Sequence, residues 1–268
     1  MSSPFHAALA VALSLLTAIV RAEENAYSAE DALYQLAPTA VLTQGLLEGP
    51  TPFHQLLRFG DFGLGGLSPV DGEVILLDGT VYQARYPDGR LREVDPEERT
   101  PFMFIKRFGD DLRLQLPPVD SYDDAVRQLD RQLPSPNLIY ALRIDGEFDY
   151  LKLRSVPPQK RPYPPIDQVV RGQRIYEREN IRGTIVAFRF PAYLGSTSGS
   201  GYHMHFVDAE RKLGGHLLDL RSRVALAVSV DESHGLNLVL PDDAAFKAAD
   251  FDSRADSSGA FNRAVRPD

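Results

Sequence analysis

Alternating apolar and polar positions dominate the chain, and long stretches of helical periodicity are few. Val74-Ile75-Leu76-Leu77 is a short apolar run between Asp71-Gly72-Glu73 and Asp78-Gly79. That pattern predicts a buried strand turning back into a second strand over 80–85, with another turn at Asp88-Gly89. Further strands are expected over 41–47, 101–108, 112–116, 183–188, 217–220, 224–230 and 236–240. Residues 137–143 and 150–156 flank Asp145-Gly146 and read as a long hairpin.

Helical signals are fewer. Ser121 caps a run in which Val126, Leu129 and Leu133 share a face before Pro134, so a helix is expected over 121–133. Shorter helices are expected over 28–36, capped by Ser28, and over 53–58, ending at Gly60. Ile166, Val169, Val170 and Tyr176 predict another over 166–179. Five prolines fall within 157–165 and mark an extended linker. The organisation read from these signals is α/β of an α+β-like kind: mixed and antiparallel sheets with a few helices and a candidate metal site on a β-hairpin. An amino-terminal mixed-sheet region would cover 23–156, a second sheet region 157–240, and a polar tail 241–268.

Residues 1–22 stand apart. A charge-free, largely apolar run over 7–20 is too short to span a bilayer comfortably, and Val20-Arg21-Ala22 precedes Glu23-Glu24. This predicts a secretory signal cleaved after Ala22 and a secreted or periplasmic mature chain without stable membrane association. The net charge is 29 minus 37, or -8, with no basic run, which argues against nucleic acid and for a small-molecule partner. The absence of cysteine excludes thiolate metal sites and cysteine nucleophiles.

Candidate chemistry concentrates in Gly201-Tyr-His-Met-His-Phe206 and Gly214-Gly-His216. In a strand His203 and His205 share a face opposite Tyr202, Met204 and Phe206, and the polar turn between them and His216 would return a third imidazole. A His-x-His pair alone is more often structural. Three of the chain's six histidines within fourteen residues shift the balance towards a zinc site with open coordination positions. Glu73 opens a buried strand, where a carboxylate is costly unless paired or chemically used, although a solvated strand end is the commoner arrangement. Arg143, Lys152 and Arg154 on the 137–156 hairpin read equally as an anion clamp or a solvated sheet face. Gly60-Asp-Phe-Gly-Leu-Gly-Gly-Leu67 is not followed by a helical pattern, so its glycines point to close backbone approach and not to a phosphate loop.

Several motifs in one order resemble the alpha-acetolactate decarboxylase family. They are Gly60-Asp-Phe-Gly-Leu-Gly65, Asp71-Gly-Glu73, Leu77-Asp-Gly79, Leu142-Arg-Ile-Asp-Gly146 with Lys152 and Arg154, Val156-Pro157, Gln159, Pro162-Tyr163, Asn180-Ile-Arg-Gly-Thr-Ile-Val186, the histidine segment and Asp219. The resemblance spans roughly 30–240. It implies zinc held by His203, His205 and His216, with a glutamate at Glu73 and an arginine at Arg143; Arg143 and Arg154 are the candidate substrate-binding residues. It also implies a homodimer joining sheets across the interface, and conversion of (S)-2-acetolactate to (R)-acetoin. In that chemistry zinc is the electron sink, the arginine orients the carboxylate, and Glu73 or a bound water supplies the proton. Two positions depart from the family: Gly66 stands where it carries threonine, and Arg266 where it carries glutamate. Other chemistries compatible with these residues are a noncatalytic zinc or small-acid binding protein and a zinc hydrolase with Glu73 as base.

Overall fold

The structure, a computed structural model, describes residues 31–251 and 257–265. The signal segment, Ser28 and Arg266 lie outside the described residues. In chain order the strands are β1 (Ala32–Leu36), β2 (Thr51–Pro52), β3 (Phe62–Gly65), β4 (Glu73–Leu77), β5 (Thr80–Ala84), β6 (Leu91–Glu93), β7 (Arg99–Thr100) and β8 (Met103–Lys106). They continue as β9 (Leu112–Leu116), β10 (Ile139–Ser155), β11 (Arg174–Phe190), β12 (Gly201–Asp208), β13 (Gly214–Arg221), β14 (Leu226–Ser233) and β15 (Gly235–Val239). One sheet runs β15-β1-β8-β3-β4-β5-β6, the other β11-β12-β13-β10-β14-β9, and β2 pairs with β7. Because β10 also pairs with β11, the strands β10, β11, β12 and β13 close a ring. Among the described residues no helix is long and apolar enough to cross a membrane.

Alternation along the strands makes two cores. Leu142, Ile144, Phe148, Leu151, Met204 and Phe206 fill the ring and pack with Leu129 of the helix Tyr122–Gln132. As the capping signal predicts, Ser121 Oγ accepts from the Asp124 amide at 3.2 Å. The opposite faces of β11 and β12 present Val186, Phe188 and Val207 to Leu64, Val74, Ile75 and Phe104 of the seven-stranded sheet. Each buried aliphatic or phenyl side chain contributes about 1.5–3 kcal/mol, so this interlayer is where polar groups stand out.

Four expectations are corrected. Residues 32–36 form a strand, not the end of a helix, because β1 lies between β8 and β15 and a strand with two neighbours and two covered faces loses its alternation. Residues 41–47 hold a short helix, Ala40–Thr43, in place of a strand. The helix expected over 166–179 is one turn, Ile166–Val169, followed by a 3-10 turn; from Arg174 the chain pairs along β10, with Lys152 opposite Glu177. Asp145-Gly146 is no turn: both residues pair across to Thr184 and Gly183, and β10 runs through them. Each sheet draws strands from both sides of the proline-rich segment 157–165, since β1 pairs with β15 and β10 with β11, β13 and β14.

Candidate metal centre

The strand register assembles the histidines. On β12, His203 and His205 face the interlayer while Tyr202, Met204 and Phe206 face the ring core, and His216 of β13 lies directly opposite His205. The three ring centroids are 5.0 to 5.2 Å apart. His205 Nδ1 lies 2.8 Å from the Val74 carbonyl, and His216 Nε2 lies 2.6 Å from the Val265 carbonyl. A carbonyl only accepts, so each of these nitrogens carries the proton, leaving a lone pair on His205 Nε2 and on His216 Nδ1. Burial drives all three imidazoles to lower pKa, His205 to about 3, and the Arg154 charge pushes the same way. They are neutral, as metal ligands must be.

The donor set fits a divalent cation. His203 Nε2 and His205 Nε2 are 3.2 Å apart, and two nitrogens on one tetrahedral zinc with bonds of about 2.0–2.1 Å lie about 3.3 Å apart. His203 Nδ1 and His216 Nδ1 are buried without a hydrogen-bond partner. One donor atom from each histidine lies within 4.8 Å of the others.

Glu73 and Arg154 complete the cluster. Glu73 begins β4, immediately before the carbonyl that orients His205, and its Oε2 is 3.7 Å from His205 Nε2. Arg154, directly opposite His216 in the sheet, places Nε 3.6 Å from Glu73 Oε1 and donates from Nη1 to Gln173 Oε1 at 3.2 Å. Burial raises the Glu73 pKa to about 7 against the pull of Arg154. Burial lowers that of Arg154 against the pull of Glu73. Glu73 Oε1 and Arg154 Nε are themselves buried without hydrogen-bond partners, polar atoms facing one cavity.

Arg143 is not brought to this cluster. Its Nη1 donates to Asp78 Oδ1 at 2.7 Å and its Nε to Asp145 Oδ2 at 2.9 Å, in a group 30% exposed. Eleven residues of β10 separate it from Arg154, roughly 36 Å of strand path at about 3.3 Å per residue. The hairpin expected from the sequence sets the two arginines on its two arms; on the single strand β10 they lie far apart, and the pairing of β10 with β13 brings Arg154 to the cluster.

The tail is also corrected. Read as polar, it holds a helix, Ser257–Val265, whose buried Phe261 and Ala264 close over the histidines. The Phe261 ring centroid is 6.0 Å from that of His203. Ser200 and Asn262 exchange two hydrogen bonds, at 3.0 and 3.1 Å, that fasten the helix beside β12. The apolar spacing of Phe261, Ala264 and Val265 is the signal that marked this helix. Together with Gly66, Glu73, Arg154, His203 and Phe102, the helix lines one small cavity.

Known proteins are similar to this chain in sequence and in fold. The family model described as alpha-acetolactate decarboxylase matches residues 33–253. A protein of Methylococcus capsulatus named alpha-acetolactate decarboxylase is 35% identical over 226 residues, covering 84% of this chain and 86% of its own. Its namesake from Bacillus subtilis is 36% identical over 221 residues, covering 82% and 86%. The crystal structure of the alpha-acetolactate decarboxylase of Bacillus subtilis strain 168 superposes with a TM-score of 0.83 at 34% identity, covering 88% of this chain and 99% of that one. With the family model matched over most of the chain and the fold shared nearly end to end, the chain belongs to the alpha-acetolactate decarboxylase family, whose members are carboxy-lyases.

Proposed function

We propose that this chain decarboxylates (S)-2-acetolactate to (R)-acetoin and carbon dioxide at a zinc ion held by His203, His205 and His216. The observation that carries the reading is the convergence of three neutral imidazoles, those of His205 and His216 buried and that of His203 half-buried, with a carboxyl held near neutrality and a buried guanidinium beside one small cavity. A bound divalent cation supplies Lewis-acid stabilisation of the electron pair that departing carbon dioxide leaves behind.

The remaining work belongs to the chain. Arg154 binds the substrate carboxylate with a planar fork of donors before that group is lost. Glu73, with a pKa near the working pH, holds a proton at Oε1 or Oε2 and delivers it to the carbon from which the carboxylate leaves. Phe261, Phe102 and Val170 exclude water, so the proton comes from a fixed direction and one face of the carbon receives it. The Val74 and Val265 carbonyls hold the imidazole tautomers that keep lone pairs turned inwards.

The same reading includes a homodimer and an exported chain beginning at Glu23. Acetoin formation from racemic acetolactate, with and without chelation, tests the chemistry when run beside metal analysis. Chelator-sensitive turnover with about one zinc per chain is expected. Turnover unaffected by removing the metal would refute the zinc assignment, and bound zinc without carbon dioxide release would leave a binding protein. Light scattering of the purified chain and amino-terminal sequencing of the exported product test the dimer and the cleavage after Ala22.

A further inference from the structure

Arg154 and His216 are the last residues paired between β10 and β13, just beyond the register shift that separates Lys152 from Leu153. The end of a ladder is where strands fray, and here both members of the closing pair belong to the site. A bond that spans the two strands at this end therefore bears on the site itself.

Tyr176 supplies that bond. It stands on β11, the other neighbour of β10, directly opposite Leu153, and its ring packs against the core inside the ring of strands. The side chain reaches past β10: its hydroxyl donates to the Gly214 carbonyl of β13 at 2.6 Å and lies 3.3 Å from the Arg154 carbonyl of β10. One oxygen thus touches the backbone of both strands where their pairing ends. The surroundings are shaped to it. A Cβ at Gly215 would collide with the Tyr176 hydroxyl, and so would one at Gly89, whose φ of +75° also favours glycine. The Gly89 carbonyl in turn accepts from the Gly214 amide at 2.9 Å. The Asp88-Gly89 turn and the Gly214-Gly215 doublet therefore close on one phenolic oxygen. His216 turns its imidazole to the interlayer, so Gly215 presents the opposite face, and the hydroxyl stands there, behind the row that Arg154 and His216 form. Burial pushes the phenol well above its ordinary pKa, so the oxygen keeps its proton and remains a donor.

We propose that Tyr176 is a positioning residue of this site: by bonding the Gly214 carbonyl beside the Arg154 carbonyl, its hydroxyl sets the separation of the substrate-binding guanidinium from the metal ligand His216. The proposal rests on the decarboxylase reading. Tyr176 does not line the cavity, so its effect reaches the chemistry through the two strands alone.

The test compares Tyr176→Phe with Tyr140→Phe in the metal-loaded protein. Each variant loses one oxygen and keeps its ring. The Tyr140 hydroxyl bonds the Ser135 amide and carbonyl, both at 2.9 Å, and fourteen residues of β10 separate it from Arg154. A misplacement of about 1 Å costs up to about 10²-fold, so kcat on acetolactate is expected to fall about 10- to 100-fold in Tyr176→Phe. The visible bands of the cobalt(II)-loaded protein report ligand geometry without turnover and are expected to shift in the same variant. Tyr140→Phe should keep the wild-type kcat and the wild-type bands even where its melting temperature falls as far. A Tyr176→Phe protein with wild-type kcat or wild-type bands overturns the role of Tyr176 and leaves the decarboxylase reading intact, as does a Tyr140→Phe protein that moves both quantities as much. A wild type that releases no carbon dioxide from acetolactate overturns both.

Discussion

The two candidate arginines are separated most sharply by replacing each with glutamine in parallel. Arg154 is buried, at 4% exposure, with its Nε 3.6 Å from Glu73 Oε1. At that distance, and at an effective dielectric constant of about 20, the attraction is about 4–5 kcal/mol before desolvation is counted. Breaking a buried pair ordinarily costs about 3–5 kcal/mol because the surviving charge is left alone. Glu73 has an escape: its pKa is already about 7, and without Arg154 it rises further, so the carboxyl takes up a proton in place of standing as an unpaired charge. The expected loss of stability in Arg154→Gln is therefore smaller, about 1–3 kcal/mol. The loss of activity is larger, because the group that binds the departing carboxylate is gone: about 10²–10³ in kcat/KM. Arg143 bonds Asp78 and Asp145 at the surface, where such pairs are worth about 0–1 kcal/mol, so Arg143→Gln should stay within about threefold of wild type. Steady-state carbon dioxide release and thermal melts of both variants decide the matter. Equal losses in the two variants, or a fully active Arg154→Gln, would falsify the assignment.

Three further outcomes are expected. His205→Ala should lose metal and activity together, and chelation should lower the melting temperature of the wild type, since a ligand at 1,000 times its Kd stabilises by about 4 kcal/mol; a metal-free variant that still turns over would sink this. The metal-free protein should lose stability in acid. Three imidazoles with depressed pKa values contribute stability that is full above the unfolded value and lost as pH falls below it, whereas Glu73, raised to about 7, contributes in the opposite sense as pH rises from the ordinary carboxylate range. Between about pH 5 and pH 6 unfolding then takes up three protons and releases one, a slope from these groups of about 2.7 kcal/mol per pH unit, and urea midpoints that do not move across this window would contradict it. Truncation after residue 251 should remove the helix Ser257–Val265, leave the β-sheet circular dichroism signal in place and weaken zinc binding at least about tenfold, because His216 loses the carbonyl that fixes its tautomer; an unchanged affinity in chelator competition would refute that role.

What the sequence made legible was what strands decide locally. The alternation that puts His203 and His205 on one face needs only the period of a β-strand, and the return of His216 needs only a turn. The same locality explains the errors. Residues 32–36 and 174–179 are strands because of partners far away in the chain, β15 and β10, and nothing within either segment names its partner. The tail helix was obscured by its polar neighbours, although Phe261, Ala264 and Val265 carried its spacing.

The arginine shows why register, and not composition, completes this site. β10 and β13 pair in step from Tyr150 opposite Arg221 to Lys152 opposite Asp219, and then Leu153 faces Leu217, so Leu218 is passed over. That irregularity is a β-bulge, and a shift of one residue moves a strand's side chains to the other face. Without it Arg154 would lie opposite Leu217, whose side chain belongs to the core inside the ring. With it Arg154 lies opposite His216, and His216 lies opposite His205, so three neighbouring strands present guanidinium, imidazole and imidazole in one row towards Glu73. In the sequence the bulge is visible only as the doubled Leu217-Leu218, where alternation lapses. The choice between Arg143 and Arg154 thus turns on a residue that carries no chemistry at all.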